Sequence, residues 1–82
     1  MSEGTYILFV NTSCPYCHRA VNLLERNSLV YKKVVFPDGS ALKEVKRAFD
    51  RETIPIIFFQ RENEHSFELI GGFTDLEEFI HE

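Results

Sequence analysis

Cys14-Pro15-Tyr16-Cys17 constrains this chain more than any other segment, because of what stands on either side of it. Before it lies residues 5–10, containing Tyr6-Ile7-Leu8-Phe9-Val10, an aromatic and aliphatic run of the kind that forms strands. After it Cys17, Ala20, Val21 and Leu24 recur at helical spacing, to about Asn27. Only the polar Asn11-Thr12-Ser13 intervenes, and Pro15 suits a first helical turn, where its missing N–H is not needed. The chain therefore opens as a strand that hands over directly to a helix, with the cysteines at the junction. They are its two cysteines, three residues apart. A disulfide between them closes a loop too small to stabilise the fold much through chain entropy. Redox chemistry or metal binding accounts better for such a pair.

A second strand is expected over about 29–36, stopping at the turn Pro37-Asp38-Gly39. A helix over 40–50 follows, with Leu42, Val45 and Phe49 on one side. The near-continuous apolar run 54–59 reads as a strand covered on both faces. Gln60 to His65 is a polar turn, and Phe67 to Ile70 pairs back as a hairpin strand ended by Gly71-Gly72. Thr74-x-x-Glu77 is a capping-box pattern opening a last helix with Leu76, Phe79 and Ile80 inward. The strand–helix–strand opening implies a right-handed parallel crossover, and the two closing strands should be antiparallel. The expected fold is α/β: a four-stranded mixed sheet covered by three helices, in the order β-α-β-α-β-β-α. Residues 1–82 are read as one small domain, which buries only roughly 60–65% of its unfolded surface. Eight Phe and three Tyr supply the efficient core this demands.

The formal charge of −4 argues against nucleic acid as the main partner. Lys43, Lys46 and Arg47 read as a solvated helix face. No stretch approaches the ~20 apolar residues of a membrane span, and the N-terminus lacks a charged segment followed by a long apolar one. Both point away from membrane and secretion. A structural zinc site wants four ligands. Only His18 stands near the cysteines, while His65 and His81 stand alone, so no metal is expected.

A thiol attacks a disulfide only as the thiolate, and a helix N-terminus lowers the thiol pKa from about 8.5. With Pro15 as the first helical residue, Cys14 is the N-cap, where unpaired N–H groups and the positive dipole end converge. Cys17, one turn further in, should be more buried and less reactive. Cys14 is thus the expected nucleophile, and Cys17 the thiol that resolves the mixed disulfide.

Cys14-Pro15-Tyr16-Cys17 resembles the dithiol motif of the glutaredoxin family. Thr53-Ile54-Pro55 is similar to that family's Thr-Val-Pro segment, and Gly71-Gly72-Phe73-Thr74-Asp75-Leu76 to its Gly-Gly-x-x-Asp-Leu segment. The resemblance implies a thioredoxin fold and a glutathione site that includes Thr53, Ile54 and Pro55. It implies a cis peptide bond before Pro55, turning the Ile54 backbone toward the active site to pair with the cysteinyl part of glutathione. Gly71 and Gly72 let a ligand approach the backbone closely. Phe73 and Thr74 then offer helix N-terminal N–H groups to the γ-glutamyl carboxylate, and Asp75 pairs with its amine. Thr74 and Asp75 read equally as helix-capping residues, and the two roles are compatible. Arg51 matches a basic position of bacterial glutaredoxins that meets the glycyl carboxylate; it reads as readily as a solvated arginine. Tyr16 is expected to shield one side of the bound tripeptide. Asn11 stands where many members carry a lysine that helps to bind glutathione, so weaker binding or a less acidic thiol is expected.

What the resemblance implies is a cytoplasmic, monomeric glutathione-disulfide oxidoreductase. Its reductant is glutathione, and its clients are disulfide-containing or glutathionylated proteins. Ribonucleotide reductase is one candidate client, which nothing in the sequence selects. Potentials of about −200 to −230 mV would suit that exchange. Two other readings are a hydrogen donor fed by thioredoxin reductase and, less favoured, a dimer bridging an iron–sulfur cluster through Cys14 and glutathione.

Overall fold

The computed structural model describes residues 4–37 and 39–81. The elements are β1 (Gly4–Val10), α1 (Pro15–Arg26), β2 (Tyr31–Val35), α2 (Gly39–Ala48), β3 (Ile56–Arg61), β4 (Glu68–Gly71) and α3 (Phe73–His81). The sheet order is β2-β1-β3-β4. β1 runs parallel to β2 and antiparallel to β3, and β3 runs antiparallel to β4. The element order, the parallel β1–β2 pair and the antiparallel β3–β4 pair are those expected from the sequence; the strand order and the β1–β3 pairing come from the structure. The turn expected at Pro37-Asp38-Gly39 lies partly outside the described residues, at Asp38.

The period-2 alternation of β1 divides the core. Tyr6, Leu8 and Val10 face α1 and α3, where they are buried with Ala20, Leu23, Leu24 and Leu76. The register sets Leu8 opposite Ile57 and Tyr6 opposite Phe59, so β3 feeds the same face. On the other face Phe9 meets Phe36 at 5.6 Å and Phe58 at 5.5 Å, ring centre to ring centre. Phe49, just past α2, closes this cluster 4.9 Å from Phe58. Ile56 to Phe59 are buried throughout, as a central strand covered on both faces requires.

Several boundaries differ from the sequence expectation, each for a local reason. Residues 53–55 stand outside the ladder and β3 begins at Ile56; Pro55 has no N–H to give a partner strand. The Ile54–Pro55 peptide is cis. Phe67 precedes β4 and is exposed. Between Ile57↔Gly71 and Phe58↔Leu69 the register shifts, leaving Ile70 as a bulge. α3 begins at Phe73, so Thr74 is not its cap but lies in its first turn. Gly72 holds the cap position, and Asp75 reaches back to accept its N–H at 2.9 Å. This is one half of a capping box, set two residues earlier than the sequence pattern indicates.

Both α1 and α2 end in a left-handed residue that is not glycine. After α1, Ser28 (φ 55°) and Leu29 donate to Glu25 and Leu24 carbonyls at 3.1 and 3.0 Å. After α2, Asp50 (φ 54°) and Arg51 donate to Arg47 and Lys46 carbonyls at 3.2 and 2.8 Å. Each is a Schellman closure, and the second fixes where Arg51 leaves the helix.

Candidate active site

Cys14 caps α1 in an extended conformation, with Pro15 at the first helical position. The Cys17 N–H, one of the donors the helix start leaves unpaired, points at the Cys14 sulfur at 3.1 Å. The first turn holds no acidic residue, so nothing there opposes a thiolate. Cys14 and Cys17 form a disulfide with Cα atoms 5.2 Å apart. Both residues are buried, Cys14 at 9% exposure and Cys17 at 3%. The Cys14 sulfur lies 3.8 Å from the Ile54 carbonyl oxygen, which brings the segment before β3 against the start of α1.

Beside this disulfide runs a groove of about 260 Å³. Tyr16 forms one wall, with its ring 6.0 Å from that of Phe73. Arg51, Thr53, Ile54 and Pro55, from the segment leading into β3, also line it. Gly72, Phe73, Thr74 and Asp75, at the start of α3, complete it. Nine of the residues singled out in the sequence, drawn from three separate segments, thus line one concavity. Arg51 and Asp75 face each other, Nη2 to Oδ2, at 3.6 Å. The Arg19 guanidinium lies 5.0 Å over the Tyr16 ring.

Asn11 lies elsewhere. It lines a cavity of about 160 Å³ with Cys17 and His18, between α1 and β2. Its side-chain N–H₂ donates to Phe36 O at 3.0 Å and its oxygen accepts the Ser13 N–H at 2.9 Å. That second bond is an Asx turn, a device Asn commonly supplies; the polar Asn11-Thr12-Ser13 was its signal in the sequence. Two backbone features set the start of α3 beside the groove. Gly71 has φ 125°, and a side chain there would strike the Asp75 carboxylate. The Ile70 bulge delivers this glycine pair beside Pro55. Among the described residues no three His, Cys, Asp or Glu side chains gather as a metal site would need. A larger cavity, about 630 Å³, opens away from the cysteines, around Tyr6, Leu29 and Gln60.

A mixed sheet with helices on both faces, carrying a two-cysteine disulfide at the N-terminus of its first helix, defines a thiol–disulfide oxidoreductase of thioredoxin fold. The family model described as Glutaredoxin matches residues 6–64. The chain is 34% identical over 71 residues to glutaredoxin 3 of Escherichia coli, covering 84% of this chain and 77% of that one. It therefore belongs to the glutaredoxin family. Glutaredoxin 1 of Rickettsia prowazekii is 31% identical over 75 residues, 88% of this chain and 73% of that protein. The chain spans only 28% of another relative, the hybrid peroxiredoxin hyPrx5 of Haemophilus influenzae, at 26% identity. In three dimensions it matches the crystal structure of glutaredoxin 1 from Francisella tularensis, complexed with cacodylate, with a TM-score of 0.78. That match covers 95% of this chain and 93% of the other at 22% identity, and shows the shared fold. No helix among the described residues is long and apolar enough to cross a membrane.

Proposed function

We propose that this chain is a glutathione-dependent reductase of protein disulfides and glutathione mixed disulfides, with Cys14 as nucleophile and Cys17 as resolving thiol. The observation that carries this reading is the groove beside the disulfide, whose Ile54 carbonyl lies 3.8 Å from the Cys14 sulfur. Its chemistry suits an extended tripeptide. The Ile54 main chain pairs with the cysteinyl residue as a short antiparallel strand would. Phe73 and Thr74 offer helix-start N–H groups to the γ-glutamyl carboxylate. Asp75 meets the neighbouring amine, and Tyr16 covers one side. Glutathione is the reductant used across the family, and the chain acts as a monomer in a reducing cytosol.

With both cysteines reduced, the Cys14 thiolate attacks the glutathione sulfur of a protein–glutathione disulfide. The client sulfur leaves as a thiolate and takes up a proton, and Cys14 becomes glutathionylated. A second glutathione thiolate attacks the glutathione sulfur of that mixed disulfide, releasing glutathione disulfide and the Cys14 thiolate. Against a protein disulfide, Cys14 forms the mixed disulfide with one client sulfur. Cys17 then attacks Cys14, closing the disulfide seen here and releasing the client with two thiols. Two glutathiones return it to the dithiol: the first attacks Cys14, the sulfur beside the groove, and Cys17 leaves. The helix-start N–H of Cys17 stabilises charge on Cys14 whenever that sulfur is attacking or leaving.

The test compares two variants on two substrates. Cys14→Ser is expected to abolish reduction of both a glutathionylated peptide and a protein disulfide. Cys17→Ser should retain the first activity and lose most of the second. Equal losses by both variants on both substrates would refute the division of roles.

A further inference from the structure

β2 is an edge strand, paired with β1 on one side only. The Tyr6 N–H donates to Val30 O and the Phe36 N–H to Val10 O, both at 2.9 Å. Alternation along a parallel ladder then turns the backbone groups of Lys32 and Val34 toward β1 as well. Tyr31, Lys33 and Val35 direct theirs outward, a row open to a further strand. Lys32, Lys33, Val34 and Val35 are all exposed. Register with Ile7 and Leu8 sets the two lysines on opposite faces of the sheet. The ion pairs among the described residues use Arg51 and Arg61, and none uses Lys32 or Lys33. The far edge is of opposite sign: β4 carries Glu68, and α3 carries Asp75, Glu77 and Glu78. In a chain of formal charge −4, the field therefore directs an acidic partner to β2 rather than to β4.

The C-terminal end of β2 also reaches the disulfide. Val35 pairs with Val10, the last residue of β1, and Lys33 and Val35 line the 160 Å³ cavity shared by Cys17 and His18. The ligand groove lies elsewhere, since β2 stands on the other side of β1 from β3, whose leading segment lines that groove. We propose that the open edge of β2 docks an extended segment of a protein client as a fifth strand, with two consecutive acidic residues opposite Lys32 and Lys33. Main-chain hydrogen bonds to Tyr31, Lys33 and Val35 hold the segment, and the two acids select it. Apolar residues on either side of the acids meet Val34 and Val35. Lysines on an edge strand discourage pairing with a second copy, and the same charges make the edge complementary to an acidic strand. That the occupant belongs to a client rests on the reductase reading above; its docking does not depend on turnover.

The test uses the full oxidised chain and a probe peptide, acetyl-Val-Val-Glu-Glu-Val-amide, with its Lys-Lys counterpart and its fully N-methylated form. In nitrogen-15 spectra the acidic peptide should shift the amides of Tyr31, Lys33 and Val35 and slow their hydrogen exchange. Its affinity should fall about tenfold in the double variant Lys32→Glu/Lys33→Glu, which should instead prefer the Lys-Lys peptide. N-methylation should abolish binding. A glutathionylated cysteine tethered to the acidic segment should be reduced by the wild type with a KM several-fold below that of its Lys-Lys counterpart. One with no segment should be reduced equally by wild type and variant. Equal binding of the acidic and Lys-Lys peptides, undiminished binding after N-methylation, or shifts that miss β2 would each overturn the proposal. So would a tether that leaves KM unchanged, or a wild-type dimer in sedimentation that the variant loses, which gives the edge to a second copy. Absence of turnover on every disulfide would refute the reductase reading, and the binding measurements then decide the edge separately.

Discussion

The two sulfurs of one disulfide have unlike surroundings. Cys14 Sγ receives a helix-start N–H and faces the Ile54 carbonyl, while Cys17 sits among the core side chains under α1. Position at the N-cap against position one turn inside is enough to produce the difference, which is why it was legible from the spacing alone. Asn11 is the opposite case. Its place in the chain, three before Cys14, marked it for the ligand, yet its amide is used by the protein's own backbone. It joins the end of β1 to Phe36 and shapes the turn at Ser13. Asn11→Ala removes the donor to a part-buried carbonyl and the acceptor of an exposed N–H. It should lower stability by about 1–2 kcal/mol, read from the urea midpoint of the oxidised protein.

Helix termini govern how the elements are joined. α1 and α2 both close with a left-handed L-residue, Ser28 and Asp50, each at φ near +55°. Glycine carries no Cβ penalty in that region, so Ser28→Gly and Asp50→Gly should each stabilise by about 1 kcal/mol. Thermal melts check this, and a fall in Tm for both would contradict it. β2 is tied to α1 by the Tyr31 hydroxyl, which donates to the Glu25 carboxylate at 2.8 Å. That hydrogen bond, aided by desolvation and the adjacent negative charge, raises the Tyr31 pKa above the ordinary 10.0. A raised folded-state value means the bond contributes fully below pH 10.0 and is lost as pH rises through the folded pKa. The stability gap between wild type and Tyr31→Phe should therefore be constant at neutral pH and close in strong alkali, as urea unfolding at several pH values would show. The sequence pattern found every element here. It misplaced their ends, because the α3 cap comes from Asp75 reaching back and the α2 stop comes without glycine or proline.

Across the whole molecule the sheet separates a mixed aliphatic and aromatic core beneath α1 and α3 from a cluster of phenylalanines on its other face. The groove sits at the edge of the first, where α1, the segment before β3 and the start of α3 converge. Leu76 is fully buried in that core, one residue beyond Asp75. Leu76→Ala should cost about 2–5 kcal/mol, a large part of the 5–15 kcal/mol typical of a domain. A urea titration measures that cost, and any loss of kcat/KM beyond the unfolded fraction reports displacement of the α3 start.

By itself the sequence determined the order of elements, the central strand and the place of the cysteine pair. Each follows from residues adjacent along the chain: apolar period, a proline in a first turn, a sulfur at a cap. Only the tertiary structure decided which distant groups meet. Ile54 faces Cys14 across 40 residues of sequence, Arg51 finds Asp75, and Asn11 turns to Phe36. Those pairings depend on sheet register, one bulge and two left-handed turns. Such features shift side chains by a few ångströms and leave no periodic trace in the sequence.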